Sequence, residues 1–280
     1  MSNAKDIKIF VSAHKAVEIP NLDILYPVEV GAANRQSHFF DLRDDQGDNI
    51  SAKNIMYCEL TAQYWAWKNQ NADYFGLCHY RRLLSFSHHG RAPYRYTNAR
   101  GEKLAKELAP ERLDEILEKC DLVAPIAEKV YKSVTEQFAE SANQRVSDME
   151  KAVEILVEKY PAMSDAAERY MSGDECYFGN IFVMKKELFS EYSAMLFDVL
   201  GELEKTVVDI PDRALGYIGE RICGIYITYI KNNTPERVFF AQRVDPGYYF
   251  DEMFKRKTAY YLLPPGSRRR ALVKKALKRG

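Results

Sequence analysis

The sequence predicts a single α/β domain, on three observations. Short runs rich in β-branched and aromatic residues alternate with longer stretches whose apolar residues recur every three or four positions. With 280 residues, 46 % of them hydrophobic, including 19 Tyr and 14 Phe, the chain can bury a large core. No internal repeat or low-complexity tract breaks the rhythm.

Residues 8–12 (KIFVS) are a β-branched and aromatic run that predicts the first strand. The polar stretch 41–51, with Gly47, predicts a loop. Ile55, Cys58, Ala62 and Trp65 follow at steps of three and four, which predicts a helix reaching about Asn69. Tyr64, Trp65 and Trp67 read as packing residues of that helix rather than a sugar-stacking platform. DYFGLC (73–78) predicts a strand that runs into His79-Tyr80-Arg81-Arg82. The stretch 87–101, rich in Gly, Pro, His and Arg, predicts a loop; 111–119 predicts a helix and DLVAP (121–125) a strand. Met149, Val153, Leu156 and Tyr160 mark an amphipathic helix that must stop before Pro161. YFGNIFVM (177–184) predicts a strand and 186–205 a helix, and Gly219-Glu220-Arg221 is expected to open a final apolar helix.

Charge and cysteine content narrow the setting. The 40 basic and 40 acidic residues cancel, yet residues 255–280 hold ten Lys and Arg with no acid, so the body carries the compensating −10. An acidic body argues against a general nucleic-acid binder, and the basic tail suggests a partner of its own. Five cysteines at wide spacing, without a C-x-x-C pair, read as reduced thiols of a cytosolic protein. The N-terminus lacks a signal-peptide core, and the apolar run 222–230 is too short for a bilayer, which predicts a soluble or membrane-surface protein.

Three polar clusters fall at predicted strand ends or helix starts, where open α/β sheets place ligands. They are His14-Lys15, His79-Tyr80-Arg81-Arg82, and Gly173-Asp174-Glu175 together with Glu220. Adjacent arginines suit a diphosphate because each guanidinium is permanently charged and offers a planar fork of donors. A carboxylate in the same cleft would take a proton from an acceptor hydroxyl. Each residue also admits a plainer role: surface pairing for Arg81 and Arg82, a turn for Asp174 and Glu175, a helix-dipole partner for Glu220. His88-His89 make no obvious metal pair, and the acidic loop Asp41, Asp44, Asp45, Asp48 misses the calcium-loop register. Phosphate-loop, dinucleotide-binding and G-x-S-x-G fingerprints are absent, which disfavours P-loop kinases, Rossmann dehydrogenases and α/β-hydrolases.

Several segments in order, KIFVSAHK (8–15), GDNISAKNIMYCELTAQYWAWKN (47–69), DYFGLCHYRRLL (73–84), YFGNIFVMKKELFSEYSAMLFDVL (177–200) and GYIGERICGIYI (216–227), resemble a bacterial capsule and exopolysaccharide glycosyltransferase family. That family was long labelled a domain of unknown function and has galactofuranosyltransferase members. The resemblance spans roughly residues 6–245. It implies a GT-A-like, Rossmann-like domain over 1–250 with a central mixed, mostly parallel sheet, followed by a basic tail over 251–280. The implied activity is inverting transfer of galactofuranose from UDP-galactofuranose to a glycan acceptor of capsule, exopolysaccharide or O-antigen. Another UDP-hexose donor, or a non-catalytic sugar-nucleotide or glycan-binding subunit, are the alternatives.

By position, the resemblance implies substrate contacts from His14, Lys15, Asn49, Ser51, Asn54, His79, Tyr80, Arg81, Arg82, Asn180 and Arg221, with Glu220 as base and Asp174 as runner-up. Many GT-A enzymes end the strand equivalent to DYFGLC in Asp-x-Asp, which holds a divalent metal; here His79-Tyr80-Arg81 stands in that place. Cations at that strand end predict catalysis with little or no metal dependence, and no other cofactor. If the strand runs on, alternation turns only one of the two arginines into the cleft. The expected partners are a UDP-sugar, a lipid-linked glycan and, through the tail, the anionic inner face of the cytoplasmic membrane; no nucleic acid is expected.

Overall fold

The computed structural model describes residues 5–87, 92–140 and 144–247, with isolated positions 258, 262, 263, 269, 270 and 273 beyond them. The chain opens with β1 (Ile7–Ala13) and β2 (Leu25–Glu29), then α1 (Asn54–Tyr57), α2 (Leu60–Asn69), β3 (Tyr74–His79), β4 (Leu83–Ser85) and β5 (Tyr94–Thr97). Next come α3 (Gly101–Leu108), α4 (Leu113–Leu117), β6 (Leu122–Pro125), β7 (Glu128–Lys129), α5 (Val134–Ala139), α6 (Val146–Lys159) and α7 (Ser164–Ser172). The last elements are β8 (Glu175–Cys176), β9 (Phe182–Lys185), α8 (Lys186–Thr206), α9 (Ala214–Asn233) and β10 (Val238–Pro246).

The main sheet has the order β2-β1-β3-β9-β6-β10-β4, with β5 paired to β10. Neighbours among β2, β1 and β3, and among β6, β10 and β5, run parallel; β9 and β4 are antiparallel to their partners. This is the mixed, mostly parallel sheet the resemblance implies. The strands read as nearly continuous apolar runs because both faces are covered. Alternate residues divide between the faces: Phe10, Phe182 and Met184 join α2, α6, α8 and α9, whereas Ile9, Val11 and Val183 join Leu104, Leu108 and Leu113 of α3 and α4. Close helix packing uses Gly224, where an added Cβ would lie 2.0 Å from the Tyr170 ring, so α7 and α9 meet nearly backbone to ring.

Several sequence expectations need correction. The helix expected over 55–69 is broken: Cys58 has φ 52°, and Ile55, placed on the buried face by spacing, is 60 % exposed. The loop expected over 87–101 contains β5, whose backbone pairs with β10. The strand expected over 177–184 starts only at Phe182, because Gly179 (φ 102°) and Asn180 (φ 49°) are incompatible with extended backbone. The last helix begins at Ala214, so Glu220 lies in its second turn and the helix-dipole role does not apply. His88-His89 and the tail, with its proposed membrane surface, lie outside the described residues apart from the isolated positions above. Among the described residues no helix is long and apolar enough to cross a membrane.

Candidate active site

The chain enters β1, crosses to β2 on one side, then returns to β3 on the other. This reversal leaves a crevice beyond the carboxyl ends of β1 and β3, the position where open α/β sheets bind ligands. His14 follows β1 and His79 ends β3, and their rings come within 6.4 Å. β9 is antiparallel with Phe182 opposite Leu77, so the bend 179–181 reaches the same edge.

The segment His79-Tyr80-Arg81-Arg82 is a tight reversal, with the His79 amide donating to the Arg82 carbonyl (3.1 Å) and the Arg82 amide to the His79 carbonyl (2.7 Å). The Tyr80 amide donates to the Ser12 carbonyl, tying the turn to β1. Because the strand turns here, the alternation expected of an extended chain does not apply, and Arg81 and Arg82 line one cleft. Arg81 also lines an adjoining cavity of about 460 Å³, together with Lys15, Tyr80, Glu18, Arg100 and Leu104. The Tyr80 ring is nine-tenths buried, and the His14 ring (5.4 Å), the Lys15 ammonium (5.7 Å) and the Arg81 guanidinium (5.3 Å) gather around it.

Burial and, after it, this cationic wall both disfavour the protonated imidazoles. Burial, then the Arg81 and Arg82 charges, hold His79 down to about 3. Its Nδ1 accepts from the Arg81 amide at 3.2 Å, which leaves Nε2–H as a donor. His14 is lowered too, by burial and then by Arg81 and Lys15.

The remaining wall comes from elements far apart in sequence. Cys58 and Glu59 occupy the break between α1 and α2, Gly179 precedes β9, and Arg213, Gly216, Tyr217 and Glu220 come from the start of α9. An added Cβ on Gly216 would lie 3.0 Å from Cys58 Cβ, so only glycine lets α9 approach this break without displacing it. Three of the positive-φ non-glycine residues, Cys58, Asn180 and Arg213 (φ 65°), crowd around this one cleft. Each such backbone costs about 1–3 kcal/mol and persists where the surroundings over-determine it, as at working sites.

The carboxylates are held firmly. Glu220 accepts from the Gly179 amide through Oε2 and from the Arg221 guanidinium through Oε1. Asn180, 2 % exposed, donates through Nδ2 to Glu59 Oε1 at 2.7 Å and to the Gly216 carbonyl at 3.3 Å. Burial pushes the Glu59 carboxyl above its ordinary value; the Asn180 bond opposes this and the Glu220 charge adds to it.

The expected residues therefore separate into groups. His79, Arg81, Arg82 and Glu220 meet at the cleft, His14, Lys15 and Tyr80 flank it, and Asn180 stands behind Glu59. Arg221 does not reach it: the side chain is 1 % exposed, tied to Glu220 and to Gln137 Oε1 (2.6 Å), and flanked by the Phe138 and Phe178 rings. Gln137 is presented by α5, which begins in a Ser133–Glu136 capping box. Asp174 is exposed in the turn before β8 and does not line the cleft. Asn49 Nδ2 donates to the Asp45 and Gly47 carbonyls of its own loop, and Ser51 Oγ donates to buried Asp44 and accepts from the Ala33 amide (3.0 Å). Asn54 Nδ2 donates to the Cys58 carbonyl (2.7 Å) and Thr61 Oγ1 (3.0 Å), which supports the helix break.

Two charged residues of the cleft, Glu59 and Arg213, were not legible in the sequence. Glu59 sits inside CELTAQYW, where helical spacing disguised a broken helix, and Arg213 follows Pro211-Asp212 in what reads as an ordinary connector. The β3 end lacks the carboxylate pair that would hold a hard divalent ion on a diphosphate: Arg81 and Arg82, which cannot ligate a cation, stand there beside His79. Among the described residues no group of three or more His, Cys, Asp or Glu is placed to hold one.

Residues 8–233 match the family described as "Domain of unknown function (DUF4422)". The apo structure of the WbbM bifunctional glycosyltransferase is similar, with a TM-score of 0.81 and 32 % identity over 87 % of this chain and 46 % of that chain. The chain thus spans a little under half the length of that protein. No curated protein matches it.

Proposed function

The chain belongs to the DUF4422 family, and from that membership and its GT-A-like α/β fold we propose that it is a glycosyltransferase of bacterial surface polysaccharide synthesis. The donor in this reading is UDP-galactofuranose and the acceptor a glycan, with inversion at the anomeric carbon. The observation that carries it is the meeting of Arg81, Arg82, Arg213 and neutral His79 with Glu59 and Glu220 in one cleft at the sheet's switch point.

The chemistry follows from those groups. When the acceptor oxygen attacks the anomeric carbon, the bond to the diphosphate breaks and its electron pair leaves on a phosphate oxygen. Fixed guanidinium groups and an Nε2–H donor stabilise that charge without reorganising; removing one such donor typically costs about 10²–10³ in rate. Neutral His79 adds a hydrogen bond without adding repulsion to the clustered arginines. Arg81, shared by cleft and adjoining cavity, lies where a ligand occupying both would place its linking group, and the adjoining cavity offers the mixed polar and apolar lining a nucleoside needs. A carboxylate of the cleft takes the acceptor's proton.

The test incubates the purified chain with UDP-galactofuranose, UDP-galactopyranose and UDP-glucose, each with and without lipid-linked or synthetic glycan acceptors. Acceptor-dependent UDP release is expected, fastest with UDP-galactofuranose. Binding of UDP-sugars without release under any condition would leave a sugar-nucleotide-binding subunit instead.

A further inference from the structure

Two carboxylates reach the cleft, and they are held for different work. Both oxygens of Glu220 are engaged, one by the Gly179 amide and one by the guanidinium of buried Arg221. Glu59 is engaged by a neighbouring side chain through Oε1 alone, and among the described residues it has no ion-pair partner. Its position depends on two residues with positive φ: Cys58 (φ 52°), which breaks the helix beside it, and Asn180 (φ 49°), which holds its carboxyl. A helix that ran unbroken would satisfy its backbone more simply, and the break is what sets Glu59 on the cleft wall with Arg82 and Arg213.

Resting on the reading of the chain as a nucleotide-sugar transferase, we propose that Glu59 accepts the proton of the attacking acceptor hydroxyl, with Asn180 as its positioning residue. Glu220 then serves to hold the Gly179 turn and the α9 start in place. As the acceptor oxygen bonds to the anomeric carbon, its proton passes to Glu59 Oε2. The carbon–oxygen bond to the diphosphate breaks with its electron pair remaining on the leaving phosphate. The proton returns to water after the products depart, so Glu59 ends ionised as it began. Burial, which raises the Glu59 carboxyl from its ordinary value, strengthens it as a base, and the Asn180 bond limits the rise.

The experiment compares wild type, Glu59→Gln, Glu59→Asp and Glu220→Gln, all as the full chain, with UDP-galactofuranose and an acceptor glycan. UDP affinity is measured by calorimetry. Glutamine retains an oxygen for Asn180, so Glu59→Gln should keep the wild-type Tm and bind UDP within about threefold. Its kcat should fall about a hundredfold to ten-thousandfold. The acid limb of kcat, raised in wild type from the ordinary glutamate value, should shift in Glu59→Asp and vanish in Glu59→Gln. Glu220→Gln should lower Tm and lose less kcat than Glu59→Gln. A Glu59→Gln kcat within tenfold of wild type, or an unmoved acid limb, overturns the assignment alone. A wild-type chain that turns over no UDP-sugar overturns the transferase reading, and this assignment with it.

Discussion

Arg221→Met separates a structural role from a substrate-binding one. The arginine is 1 % exposed and pairs through Nη1 with Glu220, itself 7 % exposed, while its Nη2 donates to Gln137. Methionine fills similar volume between the Phe138 and Phe178 rings but leaves the Glu220 charge buried with the Gly179 amide as its remaining donor. Removing one member of a buried pair costs about 3–5 kcal/mol because the orphaned charge keeps its desolvation penalty. At roughly 2–4 °C per kcal/mol for a domain approaching this size, Tm should fall by about 6–20 °C. Adding Glu220→Gln should recover a large part of the loss, since the double variant buries no unpaired charge. Thermal melts by circular dichroism read both effects, and donor KM well below the transition reads binding. A Tm within about 2 °C of wild type, together with a raised donor KM, would refute the argument and place Arg221 on the substrate.

Arg81→Ala should lower kcat/KM about 10²–10³-fold, and Arg81→Lys should recover only part of it because a point charge lacks the planar fork; steady-state kinetics showing less than a tenfold loss in the alanine variant would contradict the diphosphate role. His79 lies at about 3 in the folded chain against an ordinary 6.5, so between those values the unfolded chain binds a proton the folded one does not, and stability falls as pH falls. Between pH 6.5 and about pH 5 wild type should therefore lose up to about 2 kcal/mol more than His79→Asn, which keeps an acceptor for the Arg81 amide; equal losses in urea midpoints would remove the argument. Turnover should persist in excess chelator, because guanidinium groups stand where carboxylates would hold a metal on the diphosphate; complete loss, restored by Mn²⁺ or Mg²⁺, would reverse this.

What the sequence determined by itself was whatever local pattern dictates. Alternating apolar runs placed β1, β3, β6 and the helices α6 and α8 to within a few residues, since side-chain periodicity follows from backbone geometry and burial alone. The cationic segment 79–82 was legible as a candidate because open α/β sheets place ligands at strand ends, although surface pairing suited its arginines equally well. What only the tertiary structure decided was which charges face the cleft. Arg221 and Glu220 are neighbours in sequence, yet one is locked against Gln137 and two aromatic rings while the other borders the site. Glu59 became visible only where positive φ at Cys58 and Asn180 broke a helix and a strand that spacing alone would have continued. Those backbone states are costly locally and are stabilised by contacts 36 to 121 residues away, between Asn180 and Gly216 and between Asn180 and Glu59. Short-range pattern carries no record of contacts over such distances, so the proposed proton acceptor, Glu59, was hidden inside the most distinctive segment of the chain.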